Sequence, residues 1–244
     1  MKLKTALFLV MNGFASLTSS MAQSNIIQIS NQQKKVAITY SSAESKLAAE
    51  ILYSYLEKSL PNTFEIKDKN ITKSDAQIIL EIQKNNKELK DQEFILKSNS
   101  QDISLLATNL KSLKYAVYTL LEKWEFRKFT ATVSYIPKPD AFIFPKNFYQ
   151  KYQPTFAYRT LLYPDSYDQA FREWHKLDWF NDDFGLWGHT FDRLVPPKTH
   201  FKTNPKLYAL YEGKRRAESL CMTNDTVVEL LCSELKKVIA EKPN

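Results

Sequence analysis

Glycine is scarce in this chain, with four residues in 244. No glycine-rich phosphate loop follows any candidate strand, so a nucleotide-binding fold is not expected. Cysteine is scarcer still: Cys221 and Cys232 are the whole complement, too few for a disulfide-built scaffold or a four-cysteine zinc site. The three histidines, His175, His189 and His200, do not fall at the helical spacing of a two-histidine zinc motif. Neither a metal nor a cofactor is therefore expected. The G-x-S-x-G elbow of a serine hydrolase is also missing. Beyond the first 22 residues no hydrophobic run is long enough to span a bilayer.

What is present is an ordinary globular composition, 43% hydrophobic and 25% charged, with fifteen Phe and thirteen Tyr. The first residues follow a different plan. Lys2 and Lys4 precede an apolar stretch, ALFLVMNGFASL, and Ser20-Met21-Ala22 puts small residues at −3 and −1. That is the design of a cleaved secretory signal, so residues 1–22 are expected to direct export to the periplasm or the medium. Cleavage would lower the net charge of +7 by two. The remaining lysines are scattered, as on a solvated surface, and export argues further against a nucleic-acid partner. In an exported protein the two cysteines could pair, but one at a strand end and one inside a helix are expected to stay free and buried.

From 25 to about 148 the pattern is mixed α/β. KKVAITY (34–40) is β-rich, and Ser41 with Glu44 offers a capping box to a helix whose apolar face runs through Leu47, Ala48, Ile51, Leu52, Tyr55 and Leu56 until Pro61. Strand candidates follow at 64–68, 76–83, 93–99 and 102–109. SLKYAVYTLLEKW (112–124) is an amphipathic helix expected to pack on the sheet. Pro137, Pro139, Pro145 and Pro154 mark 137–154 as a connecting segment and place a domain boundary near 148.

After the prolines the expected order is a strand at FAYRTLLY (156–163), a helix at 166–178 and a strand at FGLWGHTF (184–191). A hairpin or short helix-turn at 207–214, a strand at 218–224 and a helix at 226–241 complete it. That order suggests the opening of a parallel β/α array. A closed eight-fold barrel takes about 250 residues, so the expectation is an incomplete (β/α)8 barrel in a fragment of a longer protein.

Chemistry-bearing residues cluster in this half. Arg159 lies near the end of the first expected strand, where barrel enzymes gather ligand contacts; a guanidinium suits hydroxyls or carboxylates, and a structural salt bridge is equally open. In an extended FGLWGHTF, Trp187 and His189 share one side. An indole stacks on the C–H face of a sugar and an imidazole bonds its hydroxyls, although a buried Trp beside a satisfied His is the first reading of those residues alone. Gly185 and Gly188 would admit close approach of backbone or ligand. Asp192 and Arg193 are expected to bridge each other, and Asp182-Asp183 are not assigned the paired-carboxylate role of glycoside hydrolysis.

Residues 174–224, from WHKLDWF through WGHTF, VPP, NPKLYAL, GKR and LCMTN, resemble the segment that marks a glycoside-hydrolase-like family of exported bacterial proteins, domain-of-unknown-function family 4838. Residues 34–124 are similar to the small α/β domain that precedes the barrel in α-glucuronidases and family-20 hexosaminidases. The resemblance implies a signal at 1–22, an accessory α/β domain at 23–148 and the N-terminal portion of a TIM-type barrel at 149–244. It also implies a carbohydrate ligand contacted by Arg159, Trp187 and His189, with Asn224 at the same rim. In such enzymes the catalytic carboxylates stand on later strands, so no catalytic residue is carried over. The function expected is the N-terminal part of a secreted glycoside hydrolase acting on a polysaccharide or glycan. The rivals are a non-catalytic carbohydrate-binding protein and a basic adhesion or scaffold protein.

Overall fold

The computed structural model describes residues 25–32, 35–69, 77–179, 186 and 188–241. The expected signal at 1–22 lies outside the described residues, as do Trp187, Gly185 and the Asp182-Asp183 pair. The chain divides into two compact units, the first through Leu177 and the second from Asp178.

The first unit is built on a six-stranded mixed sheet. Its strands are β2 (Val36–Tyr40), β3 (Phe64–Asp68), β4 (Gln77–Ile82), β5 (Phe94–Ser98), β6 (Ile103–Ala107) and β10 (Tyr149–Tyr152), in the order β10-β5-β6-β4-β2-β3. β2 pairs in parallel with β3 and β4, and β4 in parallel with β6; β5 and β10 run antiparallel at one edge. Two helices, α1 (Ala43–Ser59) and α2 (Leu110–Lys123), pack on the sheet. Alternate residues of the strands, Ile78 and Leu80 on β4 and Ile103 and Leu105 on β6, join Leu52, Leu56, Leu113 and Leu120 of the helices in one core, all fully buried. Each such side chain contributes about 1.5–3 kcal/mol on leaving water. Period-two burial on the strands and period-3.6 burial on the helices are what brought these residues to a common layer.

Caps fix where the helices start. Ser42, not Ser41, caps α1: its Oγ accepts from the Ser45 amide at 3.1 Å, and Ser45 Oγ accepts from the Ser42 amide at 2.9 Å. Glu44 turns outward to Lys84 at 3.2 Å. Asn109 caps α2, its Oδ1 accepting from the Ser112 amide at 2.9 Å.

The proline-punctuated segment is not a mere connector. β9 (Ala141–Pro145) pairs antiparallel with β1 (Ile26–Ser30), and β10 extends the main sheet along β5. Pro145 sits at the last position of its strand, where a missing N–H is tolerated. Phe142 and Phe144 enter the core; Trp124 stacks on Phe142 at 4.7 Å and donates from Nε1 to the Ile143 carbonyl at 3.0 Å. A small ribbon, β7 (Arg127–Lys128) with β8 (Ser134–Tyr135), precedes them. The helix expected at 166–178 is a single-turn 3-10 segment, Pro164–Tyr167, followed by the short α3 (Gln169–Trp174), capped by Asp168.

The second unit contains α4 (Phe191–Leu194), α5 (Pro197–His200), the antiparallel hairpin β11 (Tyr208–Tyr211) and β12 (Lys214–Leu220), and α6 (Asp225–Glu241). Its core is Val195, Leu207, Tyr208, Val227 and Leu231. The hairpin turns on Glu212 and Gly213, at φ 49° and 74°, the two left-handed residues of a turn that matches the strand twist.

The parallel array expected after Pro154 is not formed by the described residues. FAYRTLLY carries no ladder, since no described strand lies beside it, and Phe156, Leu161 and Leu162 remain exposed. Of the strand expected at 184–191, only 186 and 188–191 fall among the described residues; there Gly188 takes φ 68°, outside the extended region, and Phe191 already begins α4. The strand at 218–224 ends at Leu220 and pairs antiparallel within the hairpin. Among the described residues the chain is therefore mixed α/β, with its parallel strands confined to the first unit.

Candidate functional site

Each unit carries a hollow of its own. In the first, Gln92, Phe94, Tyr115, Tyr152, Arg159 and His175 surround a space of about 300 Å³. Arg159, half-buried in the irregular stretch after Pro154, is firmly engaged there. Its Nε donates to the Lys176 carbonyl at 2.8 Å, one terminal nitrogen to the Phe156 carbonyl at 2.6 Å and the other to Gln92 Oε1 at 2.7 Å. Its guanidinium also lies over the Tyr115 ring, 5.8 Å from the centroid. This guanidinium ties an otherwise irregular segment to the loop before β5, to α2 and to the chain just after α3.

The second unit opens a larger hollow, about 890 Å³, between the loop at Gly188–Thr190, the first turn of α4 and the C-terminal half of β12. Its floor is Val195 and Tyr208, both about 1% exposed. Burial pushes the Tyr208 phenol up from its ordinary pKa, and the neutral hydroxyl donates to the Val195 carbonyl at 3.3 Å. Phe201 meets the same ring edge-on at 5.1 Å. This packing joins the hairpin to the chain just after α4 beneath the hollow.

The lining combines apolar and polar surface. Phe191 and Met222 are each 51% exposed, while His189, Asp192 and Glu218 supply polar groups. Among the described residues none of those three side chains forms a hydrogen bond or ion pair, and the expected bridge between Asp192 and Arg193 does not form. An exposed ring flanked by unengaged hydrogen-bonding groups has the chemistry that a sugar ring matches, with C–H faces against the aromatic and hydroxyls toward the acceptors.

Of the four residues singled out from the sequence, His189 lines this hollow, and Trp187 lies outside the described residues. Arg159 belongs to the first unit. Asn224 caps α6: its Oδ1 accepts from the Thr226 amide at 3.0 Å and its Nδ2 donates to the Lys206 carbonyl at 3.1 Å. From the sequence, Asp192 is expected to bridge Arg193, and neither Phe191 nor Glu218 is singled out as a companion of His189; Glu218 arrives there only through the fold-back of the hairpin.

The two cysteines form no disulfide; Cys221 is half-buried and Cys232 is exposed, so the expectation of buried thiols is corrected. Among the described residues no group of three or more His, Cys, Asp or Glu is placed to hold a metal ion, and no helix is long and apolar enough to cross a membrane.

No curated protein matches the chain. Solved structures similar to part of it include a GH20 exo-β-N-acetylglucosaminidase from Vibrio harveyi in complex with N-acetylglucosamine. It is 18% identical over 55% of this chain and 18% of that one, with a TM-score of 0.37. A mutant Streptomyces plicatus β-hexosaminidase in complex with its product is 14% identical over 55% of this chain and 24% of that one, with a TM-score of 0.41. A family GH115 4-O-methyl-α-glucuronidase with specificity for decorated arabinogalactans is 18% identical over 55% and 19%, with a TM-score of 0.40. The chain thus spans roughly a fifth of the length of each. Over residues 128–244 the chain matches the family model described as Domain of unknown function (DUF4838), the family that residues 174–224 resemble in sequence.

Proposed function

We propose that this chain is part of a secreted or periplasmic carbohydrate-active protein, and that the hollow of the second unit holds one sugar unit of a glycan. The observation that carries this reading is the lining: a half-exposed phenylalanine beside a histidine and two carboxylates that bond to nothing else among the described residues. Unengaged donors and acceptors next to an open ring offer a sugar both of its contacts at once. Asn224, at the start of α6 in the same unit, holds backbone in place and does not line the hollow. In the whole protein the reaction proposed is hydrolysis of a glycosidic bond by an acid and a base carboxylate, with a barrel-type architecture completing the site. The rival, a binder without cleavage, uses the same hollow.

The test is a titration of this chain with a panel of oligosaccharides, alongside assays of reducing-end release by the chain and by any longer protein that contains it. Phe191→Ala and His189→Ala are each expected to weaken sugar binding about tenfold, the loss of one good contact of about 1.4 kcal/mol. Their unfolding midpoints should stay within about 0.5 kcal/mol of the parent, as at other exposed sites. Binding that survives both substitutions unchanged would remove this hollow from consideration. Cleavage by the longer protein supports the hydrolase; binding with no cleavage in any context supports the binder.

A further inference from the structure

The charge around the second hollow goes a step further than the presence of a sugar. Its ionisable lining among the described residues is His189, Asp192 and Glu218, with the buried Tyr208 phenol beneath them; no lysine or arginine lines it. The cations nearest in sequence on β12 are held elsewhere. Arg215 donates to the Tyr208 carbonyl at 2.8 Å, and Arg216 lies over the Tyr211 ring at 5.9 Å. Arg193, beside Asp192 on α4, does not bridge it and has an interaction of its own.

Resting on the sugar-binding reading above, we infer that the hollow takes neutral or amine-bearing sugar units and discriminates against uronic acids. A carboxylate accepts hydrogen bonds and donates none, so Asp192 and Glu218 suit hydroxyl and ammonium groups and repel a ligand carboxylate. The chain as a whole carries a net charge of +7, which by itself would favour an anionic glycan. That charge is spread over the whole surface and is screened beyond about 8 Å at physiological salt, whereas the two carboxylates line the hollow itself. Contact-range repulsion therefore outweighs the distant attraction. Bidentate arginine clamps are the usual means of holding a sugar carboxylate, and the described lining provides none.

The experiment compares matched ligands that differ at one ring substituent: hexose, hexuronate and hexosamine glycosides of the gluco, galacto and manno series, titrated at physiological salt. For at least one series the neutral and amine-bearing members should bind tenfold or more tighter than the uronate. In the double variant Asp192→Asn with Glu218→Gln, which keeps acceptors but removes charge, that ratio should fall toward one, chiefly by improved uronate binding. Uronate bound as tightly as its neutral partner, or a ratio untouched in the double variant, overturns the inference while leaving the sugar site standing. Failure of every member of every series to bind overturns the sugar-binding reading itself and this inference with it.

Discussion

At the scale of single residues, two side chains of the first unit show how differently burial acts on apolar and charged groups. Trp174, at the end of α3 and 2% exposed, packs against Tyr55 at 5.4 Å and Tyr118 at 5.2 Å. Trp174→Ala is expected to cost about 3–5 kcal/mol, the usual range for emptying a large aromatic site, read as a drop in denaturant midpoint. Glu93 is just as buried, but as a carboxylate. Burial raises its pKa, yet Lys151 at 2.8 Å, the Lys90 amide at 2.9 Å and both lysine charges outweigh it, holding the group below its ordinary value of 4.5. A depressed folded-state pKa means that the unfolded chain takes up the proton first. The stabilisation is therefore complete at neutral pH and is lost as pH falls through the depressed value. The gap in denaturation midpoint between the parent and Glu93→Gln should be largest at pH 7 and close as pH drops below 4.5. A gap that persists unchanged to pH 3 contradicts this assignment.

At the scale of elements, the helices were more legible than the strands. The stripes of α1 and α2 follow from spacing within one segment, whereas Val228, Leu235 and Ile239 of α6 stay exposed, and the hairpin takes in residues expected as a separate strand at 218–224. Strand pairing is another matter. β1, β9 and β10 form because distant segments lie beside them, and FAYRTLLY does not form because none does, though its composition is as β-like as theirs. α6 also shows an element held by its end. Asn224 joins the Thr226 amide to the Lys206 carbonyl, and only Val227 and Leu231 of this seventeen-residue helix are buried. Asn224→Ala is expected to cost about 1 kcal/mol, within the range for N-caps. Helical circular dichroism should fray at lower temperature in the variant; an identical melt would show the cap to be idle.

At the scale of the whole molecule, the two units differ sharply in how much apolar surface they hide. Among the described residues, the first gathers two helices and a six-stranded sheet around one core, whereas the core of the second comprises five buried residues with Leu194, Phe201, Leu220 and Leu230 packed against them. A unit with so small a core is marginal by itself. Denaturation should therefore proceed in two steps, with amides of α6 and the hairpin losing hydrogen-exchange protection before those of β4 and β6. A single transition with uniform protection would contradict this. It would also mean that the hollow of the second unit is as rigid as the sheet, whereas the expectation is that a ligand bound there raises the first transition selectively.

The amino-acid sequence alone determined what depends on neighbours within one turn or one strand: the amphipathic stripes of the two helices that pack on the sheet. It also contained the stretch, residues 128–244, over which the family model matches, and it pointed to His189. Only the tertiary structure decided which β-prone segments found partners, that Arg159 is occupied in holding backbone, and that Asp192 and Glu218 stand unengaged around His189. Those outcomes depend on segments far apart in the chain meeting one another, and a ladder or a hollow exists only after that meeting has taken place.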